Sequence, residues 1–165
     1  MRWKTAAIEE RSMEETKSLK GKITYDKLFW LFLAGSVMGV LIEGTFYLVL
    51  AGRWESHVLT LVGQFNALYG TGAVLFFVVI SLMKDKNILL KSLIIMIAAT
   101  ILELICGVFL ADVLGMKAWD YSHSFMNYRG VICLKFALGW GIAGFVFCLI
   151  YPKVNRLLCK LENKK

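Results

Sequence analysis

The chain has 165 residues, of which 58% are hydrophobic, and its formal net charge is +7. Its mean hydropathy of +0.65 is too high for an ordinary soluble domain, in which about half of the residues are apolar. The basic excess does not indicate a nucleic-acid partner, because the Lys and Arg residues gather between and beyond long apolar runs. The composition therefore predicts a single integral membrane domain.

Four apolar runs each reach the roughly 20 residues that a helix needs to cross a bilayer. They cover residues 28–52, 58–83, 92–111 and 131–152. Because backbone N–H and C=O groups in lipid must be bonded within their own segment, we expect these runs to be helices. The predicted fold class is all-α, an integral membrane four-helix bundle within residues 27–152.

The first helix is predicted from Asp26 to Ala51, after a polar tail over residues 1–26. No apolar core of a signal peptide precedes this helix, so we expect it to act as the insertion signal. Gly35, Gly39 and Glu43 are spaced four apart and therefore share one face of it. Small residues in this spacing favour close packing against another helix.

The second helix is predicted from about Phe65 to Met83, and a tight turn over residues 84–87 connects it to the third. The third helix is predicted from Ile88 to Leu114, and it repeats the stripe of small residues with one acid, here Glu103. This weak repeat predicts two tandem transmembrane hairpins related by an axis along the membrane normal. Chance similarity between apolar helices is the alternative.

The fourth helix is predicted from Val131 to Tyr151. Pro152 is the only proline of the chain, and we expect it to end this helix at the membrane surface. Residues 153–165 then form a basic tail.

The basic residues predict the orientation of the chain. Fifteen of them lie in the two terminal tails and the middle turn, against three in the outer loops, Arg53, Lys117 and Arg129. This bias places both termini in the cytoplasm. Membrane lipids with anionic headgroups are the expected contact of the basic segments.

Glu43 and Glu103 stand inside the apolar runs. A carboxylate in mid-bilayer costs at least about 2.5–3.5 kcal/mol on insertion scales, so it is usually kept for a reason. Two interpretations are open: a site for a proton, a cation or a polar substrate, or a hydrogen-bonded pair that fixes helix register. Lys135 either turns inward to bond one of these acids or extends outward to the interface. These three residues form the predicted buried polar site.

Aromatic and polar residues near the outer helix ends predict either an interfacial aromatic belt or an outer pocket. The candidate pocket residues are His57, Tyr69, Trp119, Asp120, Tyr121, Ser122, His123, Asn127 and Arg129. Neither these residues nor the four cysteines have metal-ligand spacing, so no metal and no cofactor is predicted. The sequence contains no P-loop, HExxH or GxSxG motif, which weighs against an enzyme.

Several motifs carry a family resemblance over roughly residues 30–150. They are Gly39-xxx-Glu43, Gly63-xxxxx-Tyr69-Gly70-x-Gly72, Ala99-Thr100-xx-Glu103, Trp119-Asp120-Tyr121-Ser122, and Asn127-xx-Gly130 followed by Trp140-Gly141-xx-Gly144. With these motifs the chain resembles the bacterial CmpB-like family named putative ABC-transporter type IV. The family often has Gly-Pro where this chain has Gly63-Gln64. The resemblance implies a small multispanning protein of the bacterial plasma membrane, named as a permease component.

Three classes of function are open at this point. The first is a transport subunit, which would need a homodimer or another subunit because four helices are few for a pathway, and a separate ATPase for energy. The second is a membrane enzyme acting on a lipid or isoprenoid, with Asp120 and His123 as acid and base. The third is a non-catalytic assembly or regulatory protein whose buried acids only lock helix packing.

Overall fold

Four helices and one very short hairpin make up the computed structural model, which describes residues 22–54 and 66–162. The helices are α1 (Tyr25–Ala51), α2 (Ala67–Leu82), α3 (Ile88–Asp112) and α4 (Leu134–Glu162). Strands β1 (Asn127–Tyr128) and β2 (Ile132–Cys133) pair antiparallel in the connection between α3 and α4. The helical fold class is confirmed, and the hairpin is an addition that the apolar pattern did not predict.

Three of the helices, α1, α3 and α4, are long and apolar enough to cross a membrane. Helix α2 has 16 residues and is shorter, at about 24 Å. The outward faces of the long helices carry exposed aliphatic side chains, among them Leu41, Ile101, Ile105, Ile142 and Leu149. Apolar surface on this scale is unusual in a protein surrounded by water. The molecule is therefore a membrane protein by the composition of its surface as well as by helix length.

Local signals set the helix ends. Gly52 adopts a left-handed conformation with φ of 67°, and its N–H donates to the carbonyl of Leu48, which closes α1. Asn87 caps α3 by accepting from the backbone N–H of Leu90 at 2.8 Å. Asn66 occupies the same position before α2, where it accepts from the N–H of Tyr69.

The helices pack as two neighbouring pairs, α1 with α2 and α3 with α4, and α2 joins the pairs by lying against α3. Gly35 brings α1 and α2 close together, since a Cβ added there would lie 2.7 Å from the Cβ of Ala73. Between the pairs, Phe76, Ile80, Ile95 and Ala99 form a buried cluster. Each pair consists of helices that follow one another in the chain, and the predicted symmetry axis between the two pairs stays a prediction.

Helix α4 does not end at Pro152 as the sequence predicted but continues to Glu162. A proline in a helix interior removes one hydrogen bond and crowds the carbonyl four residues earlier, at a cost of about 3 kcal/mol. The residues after the proline offset this cost, because Asn155, Leu158 and Cys159 are all buried. Leu158 packs against Leu31 of α1 and Phe77 of α2. The segment predicted as a basic tail is thus helical and packed over its described part.

The beginning of α1 and the end of α4 are joined by polar contacts. Lys27 is fully buried, donates to the carbonyl of Lys22 at 2.9 Å, and lies 3.7 Å from a carboxylate oxygen of Glu162. The hydroxyl of Thr24 donates to the other oxygen of Glu162. We refer to Thr24, Lys27 and Glu162 as the terminal clasp. From the sequence, Lys27 was interpreted only as part of the basic bias that predicts orientation. In the structure its side chain also links the start of α1 to the end of α4.

Candidate functional site

A cavity of about 160 Å³ lies between the two helix pairs. Both carboxylates of the predicted polar site, Glu43 from α1 and Glu103 from α3, line it. They lie eight and nine residues before the ends of their helices, or roughly 12 and 14 Å. The remaining polar lining includes the amide of Asn66, and the aromatic lining consists of Phe46, Tyr47, Tyr69, Trp119, Tyr121, Phe136 and Trp140.

Glu103 is held by two donors from the second helix pair and its loop. Its side chain is 3% exposed. The indole N–H of Trp140 donates to Oε2 at 3.0 Å, and the hydroxyl of Tyr121 donates to Oε1 at 3.0 Å. Because a buried carboxylate without partners would be strongly disfavoured, these two bonds are what permits Glu103 to lie there.

Glu43 is half-buried and has a different environment. The side-chain amide of Asn66 donates to its Oε2 at 3.0 Å. Asn66 itself is buried, and its backbone N–H donates to the carbonyl of Ser36. One asparagine therefore caps α2, ties that cap to α1, and orients the Glu43 carboxylate towards the cavity.

Aromatic rings line the cavity together with the two carboxylates. The rings of Tyr69 and Trp140 lie 5.6 Å apart, centroid to centroid, where α2 and α4 meet. The ring of Tyr121 stacks on Phe136 with centroids 4.4 Å apart. Tyr69 is held close to α1 by Gly39, since any Cβ at that position would overlap the tyrosine side chain. A glycine is thus required for the ring to reach the cavity.

Lys135 lies outward rather than beside the acids. Its side chain is exposed, and its ammonium nitrogen lies 5.7 Å from the centroid of the Phe46 ring and 5.5 Å from that of Phe136. Within the described part of the chain it forms no ion pair with Glu43 or Glu103. Of the two positions that the sequence left open, the structure shows the outward one, with the charge over aromatic faces.

The second outer loop is organised by its own hydrogen bonds. Asp120 accepts from the backbone N–H of Ser122 at 2.9 Å and from Lys117 at 2.6 Å, and these donors hold the pKa of its carboxyl below the ordinary range. The side-chain amide of Asn127 donates to the carbonyls of Ser122 and Ser124. These contacts shape the turn that carries Tyr121 to Glu103. Burial and the neighbouring Glu103 raise the pKa of Tyr121, so its hydroxyl remains a proton donor.

The eight candidate pocket residues that the structure describes do not come together as one group. Tyr69, Trp119 and Tyr121 line the cavity with the two acids. Asp120, Ser122 and Asn127 form the turn, His123 is exposed, and Arg129 pairs with Asp112 at 2.9 Å, which raises the pKa of its guanidinium. His57 lies outside the described residues. No group of three or more His, Cys, Asp or Glu suited to a metal ion occurs among the residues that the structure describes.

Sequence reasoning missed Asn66 and Trp140 as partners of the acids. The signal for Trp140 was available, because an indole N–H inside an apolar helix needs an acceptor. In each helix pair a tryptophan ring lies against a glycine that follows the carboxylate in the same helix. Trp54 lies against Gly44 of α1, which follows Glu43, and Trp119 lies against Gly107 of α3, which follows Glu103.

Residues 30–165 match the model of the protein family described as putative ABC-transporter type IV. The matched segment contains both carboxylates and every described residue of the cavity. No curated protein and no solved structure is significantly similar to the chain.

Proposed function

The chain belongs to the family described as putative ABC-transporter type IV, and from that premise we propose that it is a permease-like membrane subunit whose acidic cavity is its substrate site. The observation that carries the proposal is the convergence of Glu43 and Glu103 on one cavity between the helix pairs. A cavity between helices of a bundle that combines apolar walls with a few polar groups is a usual place for a ligand site. Ionisable residues kept within membrane helices commonly mark such pathways.

In this proposal all four helices span the membrane, and both termini are cytoplasmic. Helix α2 serves as the fourth span although it is short, because one side of it is buried against its neighbours through residues such as Gly70, Phe76 and Ile80. A short helix is tolerated at membrane depth where protein covers it. The cavity then lies in the outer half of the bilayer, on the side of the loop that carries Tyr121.

The proposed partner is a separate ATPase subunit, since the chain contains no P-loop of its own. A second copy of the chain is the proposed way to complete a pathway. The cytoplasmic end of α4 offers the ATPase a packed helical surface with exposed basic residues, Lys153, Arg156 and Lys160.

Purification in mild detergent, followed by mass spectrometry of the proteins that accompany the chain, tests this function. We expect a P-loop ATPase to accompany the wild-type chain and the control variant Asp85→Asn, which changes an exposed acid in the α2–α3 turn. Glu43→Gln should retain the ATPase but lose substrate-stimulated ATP hydrolysis. Recovery of the chain with lipid alone, in several detergents, would contradict the permease assignment.

A second function, that of a non-catalytic assembly protein, is favoured by one observation. Both oxygens of Glu103 are occupied by donors from other elements, which is the arrangement expected of a register lock. Under this alternative Glu43→Gln leaves every phenotype intact. The two functions therefore predict opposite results for Glu43 and the same structural role for Glu103.

A further inference from the structure

The cavity combines negative charge with aromatic walls. Of its thirteen described lining residues, seven are aromatic and two are carboxylates, and none of the thirteen is Lys or Arg. Aromatic faces attract cations electrostatically, most strongly where water is excluded. A carboxylate supplies the charge that such a ligand needs to leave water. Resting on the proposed function, we propose that the substrate of this site is a small organic cation of the alkylammonium class, with Glu43 as its counter-charge.

The protein already places one of its own cations on these walls. The ammonium of Lys135 lies within 6 Å of two ring centroids, those of Phe46 and Phe136, and both rings line the cavity. Lys135 itself is exposed and is not among the described residues that line the cavity, so it shows only that these two rings accept an alkylammonium group.

Glu43 is assigned as the counter-charge because it is the more exposed of the two acids. Glu103 is 3% exposed, and its oxygens accept from Trp140 and Tyr121. Glu43 is half-buried, accepts from the side-chain amide of Asn66, and lines the cavity. Glu103 therefore positions Trp140 and Tyr121 as walls, and Glu43 faces the ligand.

The same chemistry disfavours a bare metal cation. Calcium takes six to eight oxygen ligands and magnesium demands near-octahedral geometry. The described lining offers two carboxylates and one amide among mostly aromatic groups. The volume suits a compact organic ion, because a cavity of about 150 Å³ in another protein holds a molecule of the size of benzene.

Binding of tetramethylammonium chloride to the full chain in lipid nanodiscs tests the inference, with sodium chloride at equal ionic strength as the reference. Calorimetry measures affinity, and tryptophan fluorescence reports on the cavity through Trp119 and Trp140. We expect saturable binding that weakens by roughly tenfold in Glu43→Gln and by roughly three- to tenfold in Phe46→Leu. Phe109→Leu, which replaces an exposed ring on α3 away from the cavity, is the matched control and should bind as the wild type does.

Two outcomes would overturn the organic-cation assignment itself. One is the absence of saturable binding by the wild type. The other is binding that Glu43→Gln and Phe46→Leu leave unchanged while gel filtration shows both variants to be folded. If either occurs while an ATPase still accompanies the chain on purification, the permease function stands and only the substrate class is wrong.

Discussion

Replacement of Leu158 by alanine probes whether α4, past Pro152, packs against the rest of the molecule. Leu158 is 6% exposed and contacts a buried cluster with Leu31 and Phe77. Its neighbour Leu157 lies on the same turn of the same helix but is 59% exposed. Leu157→Ala is therefore a control with identical chemistry and the same change in helix propensity.

The magnitude follows from the burial. Leucine-to-alanine changes at buried sites cost about 2–5 kcal/mol, through lost apolar transfer and the cavity left behind. Because Leu158 lies near a helix end where neighbours are able to close in, we expect about 2–3 kcal/mol. For a chain of this size each kcal/mol lowers the unfolding temperature by roughly 2–4 °C, so the expected shift is roughly 4–12 °C. Leu157→Ala should remain within about 0.5 kcal/mol of the wild type.

The assay is thermal unfolding in one detergent, followed by tryptophan fluorescence and by the loss of the monodisperse gel-filtration peak. All variants are heated at one scan rate, since membrane proteins often unfold irreversibly. A Leu158→Ala protein that unfolds together with the wild type would mean that the segment after Pro152 does not pack against α1 and α2. Equal destabilisation by both variants would mean that this helix packs on a different face.

Three further predictions concern the cavity and the outer loop. Gly39→Ala should displace Tyr69 and reduce ligand binding with little loss of helix content, which circular dichroism and calorimetry together would show; unaltered binding would argue against the close approach of the two residues. Glu103→Leu leaves two buried donors without acceptors and should lower the free energy of unfolding by about 2–4 kcal/mol. Glu103→Gln keeps one acceptor and should lower it less in the same unfolding assay. The reversed order would refute the role of Glu103 in fixing the helix packing. The folded state lowers the pKa of Asp120, so the contribution of this carboxylate to stability is present at neutral pH and is lost on acidification below about pH 4. The free energy of unfolding of the wild type should therefore fall more than that of Asp120→Asn between about pH 5 and pH 3. Parallel stability curves of the two proteins would contradict this.

The end of α1 and the start of α3 were predictable because their determinants are local. The apolar runs are long, Gly52 is a strong signal for a helix end, and Asn87 is a strong N-cap. The continuation of α4 was not predictable in the same way. The rule that proline ends a helix considers only neighbouring residues, whereas burial of Leu158 and Cys159 depends on α1 and α2 being nearby.

The candidate site was likewise only partly predictable from the sequence. An acid in an apolar run is visible without a structure, so Glu43 and Glu103 were singled out directly. Their partners Asn66 and Trp140 come from other helices, 23 and 37 residues away along the chain. Contact at such separations depends on how the helices pack. The sequence left two positions open for the Lys135 side chain. It adopts the outward one, where its ammonium group lies over the rings of Phe46 and Phe136.

The terminal clasp brings the two extremities of the described chain, near Lys22 and Glu162, side by side. Because these two ends are adjacent, the order of the helices can be changed by circular permutation. Residues 163–165 joined to residues 1–21 would form the linker across the clasp, and new termini opened in the turn between α2 and α3 would exchange the order of the two helix pairs. Such a circular permutant would show whether each hairpin inserts into the membrane independently of its place in the gene.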